Sequence, residues 1–308
     1  MINLFLTYKC NLNCSYCFAT GLAPEFPKEI SQEKFALFLD WLQEYSVPAI
    51  GLLGGEPTMH SRFERMLAQF SEIGIAVVLF TNGIFPKNLV DPISKHVKNV
   101  VVNYNEPSMY KRGQLDIVNQ NLEALALGVR RLTFSKNFSP GHTSVDYLIE
   151  ACERYRVRHV RYDISKPGDN SQNDYFSIAD TKNIVDTVVR FAAQCHNLGI
   201  RTGMDCCIPL CQLSASQRRF MEKISTKFSG ICHPSIDVHP DLSVSYCLPL
   251  KQVMIDDVTS MPGEDALLRH FAERVRVLRV LKTFDRCGEC NDFGKRCQGG
   301  CLALKDTI

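Results

Sequence analysis

The chain has 308 residues, of which 45% are hydrophobic and 22% are charged, and its formal net charge is +2. This length is enough for one large domain, or for one domain with a smaller appendage. The near-neutral charge, without long runs of one sign, argues against nucleic acid or a membrane surface as the partner. No signal segment opens the chain and no apolar run reaches about eighteen residues, so we expect a cytoplasmic protein.

Short apolar runs of strand length alternate with amphipathic helical segments through the first two thirds of the chain. The predicted strands are residues 2–7, 49–55, 75–83, 98–104, 129–135 and 158–164. The helices predicted between and after them are residues 31–45, 62–74, 115–128, 144–155 and 181–199. This alternation predicts an α/β fold with a parallel sheet of right-handed βαβ units. Since eight such units close a full barrel, six strands predict a partial, open (β/α)6 TIM-type barrel.

The pattern changes near residue 200, where loops rich in cysteine replace the regular alternation, with one predicted helix at residues 266–284. We therefore expect a barrel domain at residues 1–200 and a small cysteine-rich α+β domain at residues 201–308. Disulfides are not expected in a reducing compartment, so the 14 cysteines point to metal or cluster ligation.

Three cysteines, Cys10, Cys14 and Cys17, lie on the loop after the first predicted strand. Ligand sites in parallel α/β folds form at the carboxyl ends of strands, where this loop is expected. A structural zinc or an electron-transfer cluster closes its site with four protein ligands, whereas three ligands leave one iron of a four-iron cluster open. The alternative is a structural zinc whose fourth ligand comes from a distant residue.

The spacing Cys10-x3-Cys14-x2-Cys17, with an aromatic Tyr16 before the last cysteine, resembles the CxxxCxΦC signature of radical S-adenosylmethionine (SAM) enzymes. The run from Gly54 to Pro57 resembles the GGEP motif of that family, which binds the amino group of SAM. The resemblance implies a [4Fe-4S] cluster with an open iron, which cleaves SAM reductively to a radical that takes hydrogen from the substrate. The residues expected to contact SAM are Tyr16, Phe18, Gly54, Gly55, Glu56, Pro57, Thr81, Asn82, Asn103, Ser135 and Arg161.

Several of these candidates have a plainer interpretation. Polar residues at strand ends, such as Thr81, Asn82, Asn103 and Ser135, are commonly turn formers. Arg161 alternates with a carboxylate along its strand and would also fit a salt bridge.

The carboxyl-terminal cysteines resemble the SPASM or twitch domain of radical SAM enzymes, which carries auxiliary [4Fe-4S] clusters. The family run is usually one residue shorter than this one, and Leu242 stands where a glycine is expected. The seventh cysteine expected beyond Cys301 is also missing. The cysteines that carry the resemblance are Cys232, Cys247, Cys287, Cys290, Cys297 and Cys301.

The resemblance implies one or two auxiliary clusters. An inner cluster would take Cys232, Cys247 and Cys301, with Cys211 as the fourth ligand. An outer cluster would take Cys287, Cys290 and Cys297, with Cys206 or Cys207, Asp292 or no residue in the fourth place. Adjacent strand residues point to opposite faces, so one of Cys206 and Cys207 is expected to be a packed thiol or, as in radical epimerases, a hydrogen-atom donor.

Enzymes with a SPASM domain often modify peptides or proteins, and others of this group act on aminocyclitols and aminoglycosides. We expect a ribosomal peptide or protein substrate, modified by oxidation, crosslinking or epimerisation, with a small natural-product intermediate as the alternative. The chain begins at its first strand, so peptide recognition is expected to come from a separate protein if it is needed. The electron donor would be of flavodoxin or ferredoxin type. A non-catalytic electron-transfer protein is the remaining alternative, but it would not need an open three-cysteine site.

Overall fold

The computed structural model describes residues 1–168 and 173–305. Its centre is a parallel series of strands, each joined to its sequence neighbour in the sheet. These strands are β1 (Ile2–Phe5), β2 (Ala49–Leu53), β3 (Ala76–Thr81), β4 (Val97–Asn103), β5 (Leu132–Phe138), β6 (His159–Ile164), β7 (Arg201–Met204) and β8 (Ser225–Thr226). The helices are α1 (Gln32–Glu44), α2 (Phe63–Glu72), α3 (Val90–His96), α4 (Gln114–Gly128), α5 (Asp146–Arg154), α6 (Thr181–Asn197), α7 (Ala215–Ile224), α8 (Glu264–Arg274) and α9 (Arg276–Val280).

The two faces of the sheet differ in character because side chains alternate along each strand. On β6, Val160, Tyr162 and Ile164 are buried, whereas Arg161 and Asp163 between them are partly exposed. The buried face packs against the helices, and Tyr162 meets Phe191 of α6 edge to face with ring centroids 5.7 Å apart. The apolar face therefore supplies the core, and the polar face is free to line a site.

The predicted α/β partial-barrel fold is confirmed, with differences in detail. Strand β5 begins at Leu132, three residues later than predicted, because Val129 caps α4 and Arg130 and Arg131 are exposed. Helix α3 was not predicted, and the single helix predicted at residues 266–284 is divided into α8 and α9 at Val275. The parallel series also continues past residue 200 into β7 and β8. The division into residues 1–200 and 201–308 stays a prediction.

The carboxyl-terminal part of the chain joins the sheet at its other edge. Strand β9 (Asp237–Val238) pairs in parallel with β1, followed by the antiparallel strands β10 (Val244–Ser245) and β11 (Met254–Ile255). The carboxylate of Asp237 is buried beside β1, where it accepts hydrogen bonds from Asn3 Nδ2 (2.8 Å), Ser235 Oγ (2.8 Å) and the Leu248 amide (3.0 Å). These bonds connect the first strand with the loop that carries the later cysteines.

Among the described residues, no helix combines the length and apolar character that crossing a membrane requires.

Candidate active site

The loop that follows β1 carries the first three cysteines. Cys10 is exposed, whereas Cys14 and Cys17 are partly buried. Within the loop, the Cys17 amide donates to the Cys14 carbonyl at 3.0 Å. The loop lies at the carboxyl end of the strands, which is the position that the sequence predicted for a ligand site.

The GGEP segment, residues 54–57, is joined to the cysteine loop by its backbone. The Gly55 amide donates to the Thr7 carbonyl and the Glu56 amide to the Lys9 carbonyl, each at 2.8 Å. A Cβ atom on Gly54 would lie 2.5 Å from the Thr7 carbonyl oxygen, and one on Gly55 would lie 2.5 Å from that of Lys9. The two glycines therefore permit close contact between the loops, a role that sequence reasoning missed when it considered only their approach to a ligand.

Substitution of Gly55 by alanine is expected to lower the free energy of unfolding by about 2 to 3 kcal/mol, since the backbone of Tyr8 and Lys9 leaves the methyl group no room. Gly141→Ala serves as the matched control. Gly141 has φ of 78° but nothing within 4 Å of its would-be Cβ, so only about 1 kcal/mol of left-handed strain is expected there. Denaturant unfolding of both variants measures the difference. Equal losses would contradict the close-contact role of Gly55.

Glu56 ties the end of β2 to the end of β3. Its side chain is fully buried, and Oε1 accepts hydrogen bonds from the Thr58 amide (3.2 Å), Thr58 Oγ1 (2.6 Å) and Thr81 Oγ1 (2.8 Å). Oε2 accepts from the Asn82 amide at 2.7 Å. Burial raises the pKa of Glu56, and these hydrogen bonds oppose that rise. The carboxylate thus has four protein donors, and its contact with the amino group of SAM stays a prediction.

Two asparagine side chains from neighbouring strand ends reach the cysteine thiols. Asn82, after β3, places Nδ2 3.8 Å from Cys10 Sγ, and Asn105, after β4, places Nδ2 3.9 Å from Cys14 Sγ. Both asparagines are buried, with 7% and 5% of their surface exposed. The thiols therefore face amide N–H donors from the barrel.

Tyr16 is buried between the cysteine loop and the end of β4. Its hydroxyl accepts a hydrogen bond from Asn103 Nδ2 at 2.7 Å and donates to Asn105 Oδ1. Phe18 packs instead against a small apolar cluster that contains Phe5 and Leu22. The sequence placed these residues around SAM, and the structure shows that Tyr16 also positions the two asparagines.

The partly exposed face of the sheet carries Ser135 and Arg161, which are paired in register on β5 and β6. Arg161 Nε donates to Asp205 Oδ2 at 2.6 Å, and its guanidinium lies 4.6 Å from the centre of the Phe80 ring. The sequence considered a salt bridge for Arg161 but did not find Asp205 or Phe80, because both contacts cross between strands. This part of the barrel is polar and carries paired charges.

One group of later cysteines, here called the inner set, consists of Cys207, Cys232, Cys247 and Cys301. The thiol of Cys232 lies near those of Cys207 and Cys301, and its interaction with Cys207 raises the pKa of Cys232 to about 11. Cys247 lies close enough to Cys232 and Cys301 for their charges to interact. Cys247 is partly buried and the other three are buried.

A second group, the outer set, consists of Cys211, Cys287, Cys290 and Cys297, which line one groove of about 650 Å³. Cys211 was predicted as a ligand of the inner cluster, but it lies on this groove, close enough to Cys297 and Cys287 for their charges to interact. Its binding of a cluster stays a prediction. The chain makes a short 3-10 turn at Leu210–Gln212, which carries Cys211 away from Cys207.

Asp292 was considered as the fourth ligand of the outer cluster. It lines the same groove, but its Oδ2 accepts from Arg218 Nη1 at 2.6 Å, so its carboxylate already has a cationic partner. Cys211 shares this groove with Cys287, Cys290 and Cys297, and a fourth-ligand role for either residue stays a prediction.

Cys206 lies beside both the barrel and the inner set. Its thiol is close enough to Asp163, Lys166 and Cys301 for their charges to interact, and Lys166 Nζ lies 3.5 Å from Asp163 Oδ1. Asp163 is in register with Asn137 on the polar face of the sheet. The two adjacent cysteines thus have different neighbours, Cys232 for Cys207 and Asp163 for Cys206.

Leu242 keeps the backbone conformation that a glycine would adopt without strain. Its φ is 73°, in the left-handed region, and its side chain is fully buried. Leu242, which stands where the family has a glycine, therefore carries a side chain but keeps the left-handed backbone conformation that glycine favours.

Comparison with known proteins agrees with this geometry. Residues 4–161 match the family model described as the Radical SAM superfamily. The chain belongs to the radical SAM superfamily. The family implies SAM and a [4Fe-4S] cluster as cofactors.

Relatives with established names match parts of this radical SAM enzyme. It is 26% identical over 211 residues to Fe-coproporphyrin III synthase of Methanosarcina barkeri, covering 63% of this chain and 52% of that protein. It is 33% identical over 99 residues to the sporulation killing factor maturation protein SkfB of Bacillus subtilis, covering 32% of this chain and 24% of that protein. The matches thus span about half or less of these relatives' lengths.

A solved radical SAM structure covers nearly the whole chain. SuiB of Streptococcus suis, solved with SAM bound, superposes with a TM-score of 0.69 at 15% identity, over 98% of this chain and 72% of that one. At this identity the likeness shows the fold alone.

The donor set of the first site is three cysteine thiols on one loop, and a four-iron cluster held by them would keep one iron open. Burial raises the pKa of Cys14 to about 12, so a strongly charged partner is needed to hold it as a thiolate. Among residues 1–168 and 173–305, no three His, Cys, Asp or Glu side chains gather closely enough to bind one metal ion.

Proposed function

We propose that this radical SAM enzyme modifies a ribosomal peptide or protein by oxidation, crosslinking or epimerisation. The observation that carries the proposal is the combination of the three-cysteine loop with two further four-cysteine sets in one chain. The names of the similar proteins agree with it: SuiB has been solved with its precursor peptide SuiA, and SkfB is a maturation protein.

In this proposal, Cys10, Cys14 and Cys17 hold three irons of the first cluster. When bound, the cluster and SAM together supply a carbon-centred radical that removes a hydrogen atom from the substrate. The protein's part is to hold these groups in position and to exclude water. Residues 54–57 fix the cysteine loop, and Arg161 and Ser135 line the polar face where SAM and the substrate would lie.

The inner and outer sets are proposed to bind one auxiliary [4Fe-4S] cluster each. Each of the two sets contains four cysteines, which is one ligand for every iron of a four-iron cluster. The inner set lies next to the barrel, since Lys166 is close enough to Cys301 for their charges to interact. An electron from an oxidised substrate would leave through this set. On this basis residues 201–308 act as an auxiliary-cluster domain beside the barrel of residues 1–200.

A small-molecule substrate is the second candidate. The match to Fe-coproporphyrin III synthase over 63% of the chain favours it, because that name specifies a tetrapyrrole product. The predicted alternative, an aminocyclitol or aminoglycoside intermediate, belongs to the same class of small natural products. The paired charges Arg161 and Asp205 on the polar face suit a charged small molecule as well as a peptide backbone.

Two protein partners complete the proposal. A flavodoxin or ferredoxin would deliver the electron for SAM cleavage, and a separate peptide-recognition protein would present the substrate. The reaction is proposed to take place in the cytoplasm.

The first experiment uses the full chain, reconstituted anaerobically with iron and sulfide, then reduced with dithionite in the presence of SAM. Formation of 5′-deoxyadenosine, measured by chromatography, is the expected result, and its absence would refute the radical SAM site. The second experiment coexpresses the enzyme with short open reading frames adjacent to its gene and measures peptide mass. A mass change or new crosslink supports a peptide substrate. An unchanged peptide, together with formation of Fe-coproporphyrin III from a tetrapyrrole precursor, would favour the small-molecule alternative.

A further inference from the structure

We infer that Asn105 and Asn82 raise the reduction potential of the SAM-binding cluster by donating side-chain N–H hydrogen bonds to its cysteine sulfurs. The inference rests on the proposed assignment of Cys10, Cys14 and Cys17 to that cluster. The contacts that carry it are Asn105 Nδ2 to Cys14 Sγ at 3.9 Å and Asn82 Nδ2 to Cys10 Sγ at 3.8 Å.

The orientation of the Asn105 amide is fixed by its other contacts. Its Oδ1 accepts from the Tyr16 hydroxyl, so the NH2 group is the end that faces Cys14. The Asn105 backbone amide donates to the Tyr110 hydroxyl at 3.0 Å, which holds the residue at the end of β4. The neighbouring Glu106 is paired with the buried Lys136 at 3.2 Å. Asn105 therefore has little freedom to turn away from the sulfur.

Asn82 is held in a comparable way from the other side of the cysteine loop. Its Oδ1 accepts from the Ile84 amide at 2.8 Å, and its backbone amide donates to Glu56. Its Nδ2 also donates to Asn11 Oδ1 at 2.8 Å, on the cysteine loop itself. Both amides thus present N–H groups to sulfur while their oxygens have donors elsewhere.

The physical reason is the charge on sulfur. Reduction adds an electron to the cluster and increases the negative charge on its thiolates, so an N–H donor stabilises the reduced state more than the oxidised one. Hydrogen bonds to the sulfurs are among the factors that set the potential of iron-sulfur clusters. A higher potential makes the cluster easier to reduce. Asn105 and Asn82 are therefore positioning residues that act through the cysteines.

Asn105 and Asn103 form a matched pair for the test. Both bond to the Tyr16 hydroxyl, but only Asn105 reaches a thiol. Asn105→Leu removes the N–H donor in a side chain of similar size, and Asn103→Leu disturbs the same tyrosine without removing an amide donor to sulfur. The Tyr16 hydroxyl also interacts with the Cys14 thiol, so Tyr16→Phe is included to measure the contribution of the tyrosine separately. Asn82→Leu removes the second donor and gives an independent variant should Asn105→Leu fail to fold.

The measurement is an anaerobic redox titration of each reconstituted full-length variant, followed by electron paramagnetic resonance. Only the signal that changes on addition of SAM is counted, because a cluster with an open iron responds to SAM and fully ligated clusters do not. Iron content confirms equal loading. For Asn105→Leu and for Asn82→Leu we expect the ratio of reduced to oxidised cluster at a fixed potential to fall about threefold. That equals a shift of about 30 mV to lower potential, at 59 mV per tenfold change.

A lowered potential in Asn105→Leu with an unchanged one in Asn103→Leu supports the inference. Equal potentials in the unaltered protein and in the loaded Asn105→Leu and Asn82→Leu variants would overturn it, and so would an equal drop in Asn103→Leu. Absence of any SAM-responsive signal in the unaltered protein is a different result, since it would refute the site itself and the inference with it.

Discussion

Replacement of any one of Cys10, Cys14 and Cys17 by alanine is expected to abolish 5′-deoxyadenosine formation and to remove about four iron atoms per chain. Two thiolates leave a four-iron cluster with two unligated irons, and such a cluster is not expected to survive purification. The measurements are iron content and 5′-deoxyadenosine after anaerobic reconstitution, with thermal unfolding to verify that each variant is folded.

Cys195→Ala is the control. Cys195 is fully buried on the apolar face of α6. Removal of its thiol should lower the free energy of unfolding by about 1 kcal/mol and leave iron content and SAM cleavage unchanged. Retention of SAM cleavage by all three loop variants would show that the SAM cluster is held elsewhere. Loss of iron from Cys195→Ala would show that iron content reports on folding rather than on ligation.

The features that the sequence predicted well are local. Short segments define the spacing of Cys10, Cys14 and Cys17 and the position of residues 54–57 after β2. The alternation of strands and helices follows from the periodicity of hydrophobic residues along the chain. The parallel sheet follows from that alternation, because βαβ units have a preferred hand. These features needed no knowledge of contacts between distant residues.

The features that the sequence could not predict depend on contacts across the fold. Contact of Glu56 with SAM stays a prediction, and the sequence did not reveal that its carboxylate accepts from four donors in its own turn and at the end of β3. His239 lies in a loop of ordinary composition, yet it is fully buried, with Nδ1 2.7 Å from the Tyr8 hydroxyl. Neither partner is signalled by local spacing.

The division of the later cysteines is the most consequential of these features. Cys207 and Cys211 are four residues apart, and the resemblance implied the opposite arrangement, with Cys211 in the inner cluster and Cys206 or Cys207 as one option for the outer cluster. In the structure Cys207 lies with the inner set, and Cys211, in the short 3-10 turn Leu210–Gln212, lies with the outer set. On the proposed assignment each set has four thiols, and Cys206 is the cysteine of this region that is left over.

This division makes a prediction for three single variants. Cys207→Ala and Cys211→Ala should each lose about four irons per chain, the first from the inner cluster and the second from the outer one. Cys206→Ala should keep the full iron content, because each proposed cluster has four cysteines without it and its thiol lies beside Asp163. Mössbauer spectroscopy of the ⁵⁷Fe-reconstituted proteins measures the irons, and SAM cleavage without substrate should persist in all three variants.

Cys206→Ala also distinguishes the two remaining roles of its thiol. If Cys206 donates a hydrogen atom to the substrate radical, this variant should form 5′-deoxyadenosine but no final product, whereas a packed thiol would leave product formation intact. Asp163→Asn tests the same contact while retaining the thiol. Loss of iron from Cys206→Ala, with normal iron content in Cys207→Ala, would contradict the proposed assignment. Cys206 would then be the cluster ligand and Cys207 the remaining thiol.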